Sequence, residues 1–200
     1  MLHSHLTTLN AVSLVLNTFR DQGLSSEALL AGSGISAADL SRADTRITTN
    51  QEMQVCANAV ALRAMRMGRH PFGALLVAPD GETVLAEQGN IDTVNHAEST
   101  LARTAAANYP GTYLAQCTLV TTFEPCAMCA GTIYWAGIGR VLYGAEETAL
   151  LALTGDHPDN PTLALPCRTV FASGQRPTEV LGPVPALAEE ITALHHDFWQ

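Results

Sequence analysis

Two short motifs hold side chains that can bind a metal ion and move protons. The sequences H-A-E at 96–98 and P-C-A-M-C at 125–129 each stand where a helix is predicted to begin after a strand or loop. Two thiolates three residues apart lie on one helical turn and can bind the same ion. A third ligand, His96, leaves the fourth tetrahedral position free for water, as in catalytic rather than structural zinc sites. The motifs therefore predict a catalytic zinc site formed by His96, Cys126 and Cys129.

Glu98 is the predicted proton carrier of this site. It follows His96 by two residues, too close to share the ion easily but beside the bound water. Zinc lowers the pKa of such a water towards about 7, which gives hydroxide at neutral pH. The positive potential of helix N-termini helps to keep the thiolates ionised. A hydrolytic reaction with Glu98 as general acid and base is therefore expected.

The alternative is a purely structural zinc site, which needs a fourth ligand. Cys117 and Cys167 are the candidates, but both are interpreted as small core residues, like Cys56. The number of cysteines is odd, and the sequence suggests neither a secretion signal nor a membrane span. A reducing, cytoplasmic location is therefore expected, in which C-x-x-C indicates metal binding before a disulfide.

The elements that must position these motifs follow from hydrophobic periodicity. A helix is predicted from about 50 to 67, then a hairpin of strands 72–78 and 83–88. The further predictions are helices over 96–107, 127–136 and 186–199, strands over 117–123, 140–144 and 168–172, and a long connection over 145–166. Strands that alternate with helices indicate an α/β fold with helices on both faces of a mixed sheet.

The first 45 residues differ from the rest. Short helices over 7–19, 27–31 and 37–42, joined by glycine-rich turns, are predicted there. The expected organisation is a small helical N-terminal extension, residues 1–45, and a catalytic domain, residues 46–200.

Composition restricts the partners. Hydrophobic residues make up 47% of the 200 residues and charged residues 14%, enough apolar material for a sizeable core. The net charge is −9, and all ten basic side chains are arginines. An acidic surface repels phosphate backbones, so a small-molecule ligand is favoured over a broad nucleic-acid footprint.

The motifs resemble those of the cytidine deaminase-like superfamily of zinc-dependent deaminases, closest in look to bacterial guanine deaminases and tRNA adenosine deaminase-like proteins. The likeness runs from about residue 51 to 144. Its residues are P-F-G-A at 71–74, G-N at 89–90, H-A-E at 96–98, T-F-E-P-C at 122–126 and I-Y-W-A at 133–136. The resemblance implies a three-layer α/β/α sandwich with a mixed, mostly five-stranded sheet, one zinc ion per chain and a homodimer.

The resemblance also implies residue roles. Metal binding falls on His96, Cys126 and Cys129, proton transfer on Glu98, and substrate binding on Asn90, whose amide suits a ring carbonyl or ring nitrogen. Further expected substrate contacts are Phe72, Ala97, Glu124, Pro125, Asp156 and Trp199. One departure is Ser99, where the family usually has an apolar residue.

Several of these residues have a second interpretation. Asn90 is otherwise a turn residue, Phe72 a core residue, and Glu124 a tie for its own loop. The C-terminal aromatic residues form either a frayed tail or a lid over the pocket. Trp135 is expected to pack its helix, with a dimer contact or a pocket wall as alternatives.

The expected reaction is hydrolytic removal of an exocyclic amino group from a free nucleobase or similar small heterocycle, with release of ammonia. A guanine-like base is the first choice, followed by other purines, pyrimidines and triazines. The enzymatic alternative is a tRNA adenosine deaminase, which would need a basic surface. An alternative of another class is a zinc-stabilised ligand-binding or sensing domain without turnover.

Overall fold

The structure is a computed structural model that describes residues 6–8, 30, 36, 46–184, 188 and 191–199. The strands are β1 (Leu6–Thr8), β2 (Arg46–Thr48), β3 (Gly73–Val77), β4 (Val84–Gly89), β5 (Thr118–Phe123), β6 (Arg140–Ala145) and β7 (Glu179–Leu181). The helices are α1 (Thr49–Arg66), α2 (Ala97–Asn108), α3 (Gly111–Leu114), α4 (Ala127–Ala136), α5 (Glu147–Thr154) and α6 (Cys167–Ala172). Residues 188 and 191–193 are also helical.

The main sheet has five strands in the order β4-β3-β5-β6-β7. Strand β3 is antiparallel to both β4 and β5, whereas β5, β6 and β7 are parallel. Every residue of β5 is buried, as expected for a strand that is covered on both faces. The predicted mixed, five-stranded α/β sheet is confirmed.

Helices cover the two faces of the sheet separately. On one face, Met53 and Val60 of α1 pack with Val120 and Leu142 of the sheet. On the other, α2 and α4 pack against the opposite side chains of the strands, for example Ile133 with Leu119. These layers are the predicted three-layer sandwich.

Close packing of α1 on β3 depends on a glycine. A Cβ atom at Gly73 would lie within 2.4 Å of the Ala57 carbonyl oxygen, so only glycine allows this approach. The close approach holds β3, and with it the end of the 71–74 motif, directly against α1.

Two predictions in the second half of the chain are wrong. The strand predicted over 168–172 is part of helix α6, and the last strand is β7. Cys167 and Phe171, four residues apart, form the buried face of α6, so the apolar run has a helical period that short sequences do not reveal. Likewise α5 occupies residues of the predicted long connection and buries Leu150 and Thr154.

The two ends of the chain differ from the predictions in part. Strand β1 pairs with β2, with Leu6 opposite Thr48, so the helix predicted from Thr7 is wrong at its first two residues. β-branched Thr7 and Thr8 suit a strand. Leu30 is helical, as predicted, and residues 194–199 are turns rather than helix. The other helices predicted for 1–45 lie outside the described residues, and the domain boundary stays a prediction.

None of the described helices combines the length and the apolar character that a bilayer span needs.

Candidate active site

Three predicted metal ligands converge between two helix N-termini. His96 is the N-cap of α2, Cys126 is the N-cap of α4, and Cys129 lies in the first turn of α4. Their ligand atoms all lie within 4.8 Å of one another. His96 Nδ1 is 3.7 Å from Cys126 Sγ and 3.5 Å from Cys129 Sγ. A tetrahedral ion with Zn–N of about 2.0 Å and Zn–S of about 2.3 Å separates N from S by about 3.5 Å, so these residues fit zinc.

Hydrogen bonding prepares the same three groups for a cation. His96 Nε2 donates to the Thr93 carbonyl oxygen over 3.1 Å, which leaves Nδ1 as the metal-binding nitrogen. Hydrogen bonding to Cys126 raises the pKa of His96 to about 9. Hydrogen bonds from Cys129 and His96 lower the pKa of Cys126 to about 4, whereas hydrogen bonding to Cys126 raises the pKa of Cys129. The cluster thus holds a thiolate at neutral pH, and a divalent ion would take the place of the shared protons.

Glu98 lies beside this cluster in the first turn of α2. Its Oε1 accepts a hydrogen bond from Thr121 Oγ1 at 2.7 Å, and its Oε2 accepts one from Cys129 Sγ at 3.5 Å. The side chain is buried, and this burial raises the pKa of Glu98. Thr121 therefore fixes one carboxylate oxygen while the other points to the ligand cluster.

A cavity of about 120 Å³ opens next to the cluster. Its lining includes His96, Glu98 and Cys126, and three of the expected substrate contacts, Asn90, Phe72 and Glu124. The rest of the lining comprises His70, Thr93, Phe123, Glu147, Leu150 and residues 159–163, the last of which belong to the segment predicted as a long connection.

Asn90 presents an acceptor at this cavity. It is 1% exposed, and its backbone N–H donates to the Phe72 carbonyl oxygen over 3.0 Å. Its Nδ2 donates to the Asp92 carbonyl oxygen at 3.0 Å, whereas Oδ1 is buried without a partner among the described residues. An unsatisfied buried acceptor costs about 1–3 kcal/mol, which a ligand N–H would recover. Because Nδ2 already donates within the turn, the free group of this amide is an acceptor, whereas contact with a ring carbonyl or bare ring nitrogen would need a donor; the substrate contact itself stays a prediction.

Phe72 and Glu124 each line the cavity and also contact the protein. The Phe72 ring meets Phe123 edge to face, with centroids 5.7 Å apart. Glu124 Oε1 accepts a hydrogen bond from the Cys167 N–H at 2.9 Å, which ties its loop to the start of α6. For both residues the substrate contact stays a prediction.

Four other expected contacts lie away from the lining. Ala97 is buried in the core beneath α2, and Pro125 is buried between two lining residues. Asp156 is exposed on the turn after α5, and Asp159 lies in the cavity wall instead. Trp199 is 9% exposed and packs behind the wall, its ring centroid 4.7 Å from that of His70.

The C-terminal residues are held by a specific pair of hydrogen bonds. Trp199 Nε1 donates to His195 Nδ1, and His195 Nε2 donates to the Pro71 carbonyl oxygen, each over 3.1 Å. Burial lowers the pKa of His195 to about 3, so the ring stays neutral and keeps this tautomer. A frayed tail is therefore the wrong interpretation of residues 195–199, which support Phe72 from behind.

The prediction that the other three cysteines are core residues is confirmed. Cys56, Cys117 and Cys167 are buried, as predicted, and the metal-ligand cluster found among the described residues includes none of them.

Trp135 is 77% exposed, so the prediction that it packs its helix is wrong. It lies at the end of α4 on the side away from the sheet.

Glu147 is the lining residue for which the sequence held an overlooked signal. It follows β6, and β6 is the parallel neighbour of the strand that leads to Cys126. Because the carboxyl ends of parallel strands meet at one edge, a polar residue after β6 belongs near the site. For His70 no comparable signal exists, whereas residues 159–163 belong to the predicted long connection, and long connections in compact domains often form binding sites.

Comparison with known proteins identifies the family. The family described as "Cytidine and deoxycytidylate deaminase zinc-binding region" matches residues 47–145. The probable cytosine deaminase of Schizosaccharomyces pombe is 32% identical over 70% of this chain and 86% of that protein. The chain belongs to this deaminase family.

Other similar proteins agree with that membership. The guanine deaminase of Bacillus subtilis is 44% identical over 39% of this deaminase chain and 52% of that protein. The tRNA-specific adenosine deaminase of Haemophilus influenzae, 34% identical, matches 52% of this chain and 63% of its own. A solved protein in complex with 8-azaguanine, 20% identical, has a TM-score of 0.57 over 74% of this chain and 83% of its own, and shows the fold.

Proposed function

We propose that the chain is a zinc-dependent hydrolytic deaminase that removes an exocyclic amino group from a free, guanine-like nucleobase and releases ammonia. The observation that carries this proposal is the His96–Cys126–Cys129 cluster with the Glu98 carboxyl group beside it, at a cavity of about 120 Å³. Pockets for drug-sized ligands measure roughly 300–1,000 Å³, so the size suits one small heterocycle.

Each residue of the cluster has one role in the proposed reaction. His96, Cys126 and Cys129 would hold zinc, which when bound supplies a water activated at neutral pH. Glu98 takes a proton from that water and delivers protons to a ring nitrogen and to the leaving amine. Thr121 fixes the Glu98 carboxyl group during these transfers.

The neighbouring side chains orient the base. Asn90 Oδ1 accepts one N–H group of the heterocycle, and the Phe72 ring, held by Phe123 and His195, forms an aromatic wall. Such placement lowers the barrier because the reacting atoms meet without further loss of freedom.

Charge favours a free base over a polyanion. The chain carries −9, and no arginine belongs to the described cavity lining. Two described arginines near the sheet pair with acidic residues, Arg63 with Glu87 and Arg140 with Glu179. A tRNA loop would need several phosphate contacts, normally from arginine or lysine. The names of the cytosine and guanine deaminase relatives support a free base, and that of the tRNA-specific relative supports the alternative.

The test is ammonia release by the zinc-loaded protein from guanine, other aminated bases, their nucleosides and a tRNA anticodon stem-loop. We expect turnover of guanine that changes little between low and physiological ionic strength, and negligible activity on RNA. Strongly salt-sensitive inosine formation in the stem-loop would favour the tRNA alternative. No turnover of any compound would favour the sensing domain. The homodimer and the cytoplasmic location stay predictions.

A further inference from the structure

The cavity contains a second carboxyl group, Glu147, that the proposed reaction does not use. Glu147 lies in the first turn of α5, immediately after the end of β6. Its side chain lines the cavity together with Asn90 and Glu98. The topology therefore places an additional polar side chain beside the reacting groups.

Within the described part of the chain, the carboxyl group of Glu147 has no protein partner. No described side chain or backbone group forms a hydrogen bond or ion pair with it, and no hydrogen bond contributes to its pKa. Glu124, which lines the same cavity, differs because it accepts the Cys167 N–H. The carboxyl group of Glu147 is half-buried at the cavity and has no protein partner there, so it is available to a hydrogen-bond donor of a ligand.

The charges around Glu147 also favour a hydrogen-bond donor on a bound ligand. The acidic groups whose charges act on Glu147 are Cys126, Glu98 and Glu124. Burial, and then repulsion from these groups, raises the pKa of Glu147 to about 8. A carboxyl oxygen accepts a hydrogen bond in either protonation state, so a donor on a bound ligand would offset both the burial and the repulsion.

We propose that Glu147 is a specificity-determining residue whose carboxyl group accepts a hydrogen bond from an N–H group of the bound base. Asn90 Oδ1 accepts a hydrogen bond from a second N–H group of the same base. The inference rests on the proposed function and deepens it. Two acceptors select a heterocycle that carries N–H groups at two positions besides the amino group that leaves. Guanine has two ring N–H groups, whereas cytosine and adenine have one each.

A structural role for Glu147 makes a different prediction. An acidic residue in the first turn of a helix stabilises it through the helix dipole. Glu146 stands next to Glu147, is exposed, and accepts a hydrogen bond from Thr148 instead of lining the cavity. Glu146→Gln is therefore a matched control that changes the charge at the start of α5 but not the cavity.

The experiment measures the affinity of guanine and of cytosine by calorimetry. The proteins are zinc-loaded Glu98→Gln, which keeps the bound base intact, and the same protein with Glu147→Ala, Glu147→Gln or Glu146→Gln. Removal of an acceptor from a buried polar contact costs about tenfold or more in affinity. We expect Glu147→Ala to lower the affinity for guanine by about this factor and the affinity for cytosine by less than about threefold. Glu147→Gln, which keeps an acceptor oxygen, should retain most of the affinity, and Glu146→Gln should change neither ligand.

Three outcomes overturn the proposal: unchanged guanine affinity in Glu147→Ala, equal weakening of guanine and cytosine, or no guanine binding before Glu147 is changed. A lower melting temperature of Glu147→Ala with unchanged selectivity would assign it the structural role. Ammonia release by the wild-type protein, measured in parallel, tests the proposed function separately. Selective guanine binding that depends on Glu147, without turnover, would support this inference and contradict the enzymatic proposal.

Discussion

The metal cluster and the wall of the cavity are built in different ways. The metal ligands stand at the starts of α2 and α4, which pack on the buried strand β5, and are 30 and 33 residues apart in the sequence. The wall combines residues from several segments, including α5, residues 159–163 and Phe72 with its support from residues 195–199. The groups expected to do the chemistry therefore lie in two short motifs at helix starts, whereas much of the cavity wall comes from segments without a motif.

The largest effect is expected at the metal cluster. Cys126→Ala or Cys129→Ala should reduce zinc content to near zero and abolish activity, because two remaining ligands hold the ion poorly. Metal analysis of the purified variants is the measurement. Cys117→Ala, which removes a buried thiol outside the cluster, should keep its zinc. Wild-type zinc content in Cys126→Ala, or full activity after complete chelation, would contradict the zinc site.

Proton transfer should be the next largest effect. Glu98→Gln preserves shape and can still accept the Thr121 hydroxyl, but it cannot carry the proton. Activity should fall by a factor of about 10² or more, while zinc content and melting temperature stay equal to those of the wild type. Turnover equal to that of the wild type would remove Glu98 from the mechanism.

A substitution of Asn90 tests the cavity wall rather than the metal cluster. Asn90→Ala removes the buried acceptor Oδ1 and should lower kcat/KM for a free base about tenfold with zinc still bound. Asn95→Ala is the control, because Asn95 also donates to Asp92 but is not part of the cavity lining. Equal losses in the two variants would mean that the turn, rather than the acceptor, matters.

The smallest effect concerns the support of the wall by His195. Its pKa of about 3 in the folded protein lies below the unfolded value of about 6.5, so protonation favours unfolding. The neutral ring therefore contributes its full stability above pH 6.5, and this contribution is lost as the pH falls towards 3. Coulombic interaction with His70 and His196 lowers the pKa of His195 further, in addition to its burial.

His195→Gln isolates this contribution, because glutamine provides a donor and an acceptor but does not titrate. Between pH 6 and pH 5 the wild-type protein should lose about 1 kcal/mol more unfolding free energy than the variant. Denaturant titrations at the two pH values measure the difference. Parallel losses in both proteins would show that His195 is already charged in the folded state.

Sequence patterns predicted the rigid part of the molecule well. The sheet strands up to residue 145 and helices α2 and α4 lie within one or two residues of their predicted bounds. The two motifs also supply the three members of the cluster that could hold a metal ion among the described residues. These features depend on local periodicity and on ligand spacing, which are visible in a sequence. Asn90 was found through the family resemblance, although the direction of its hydrogen bond needed the fold.

The part after residue 145 was predicted poorly for a physical reason. Helices α5 and α6 have eight and six residues, too short for a periodic pattern to distinguish helix from strand or loop. The choice between Asp156 and Asp159 depends on how the turn after α5 folds. Trp135 was assigned to the interior on its residue type alone, and type does not decide burial for a residue at a helix end.

The hydrogen bond from His195 to Pro71 has a consequence for the order in which the molecule folds. It joins residues that are 124 positions apart, about four times the separation of the metal ligands. Contacts between distant parts of a chain form late, because a longer loop must first be closed against its entropy. We expect a refolding chain to acquire its zinc-binding cluster before Phe72 is locked in place, so that metal capture precedes the ability to hold a base.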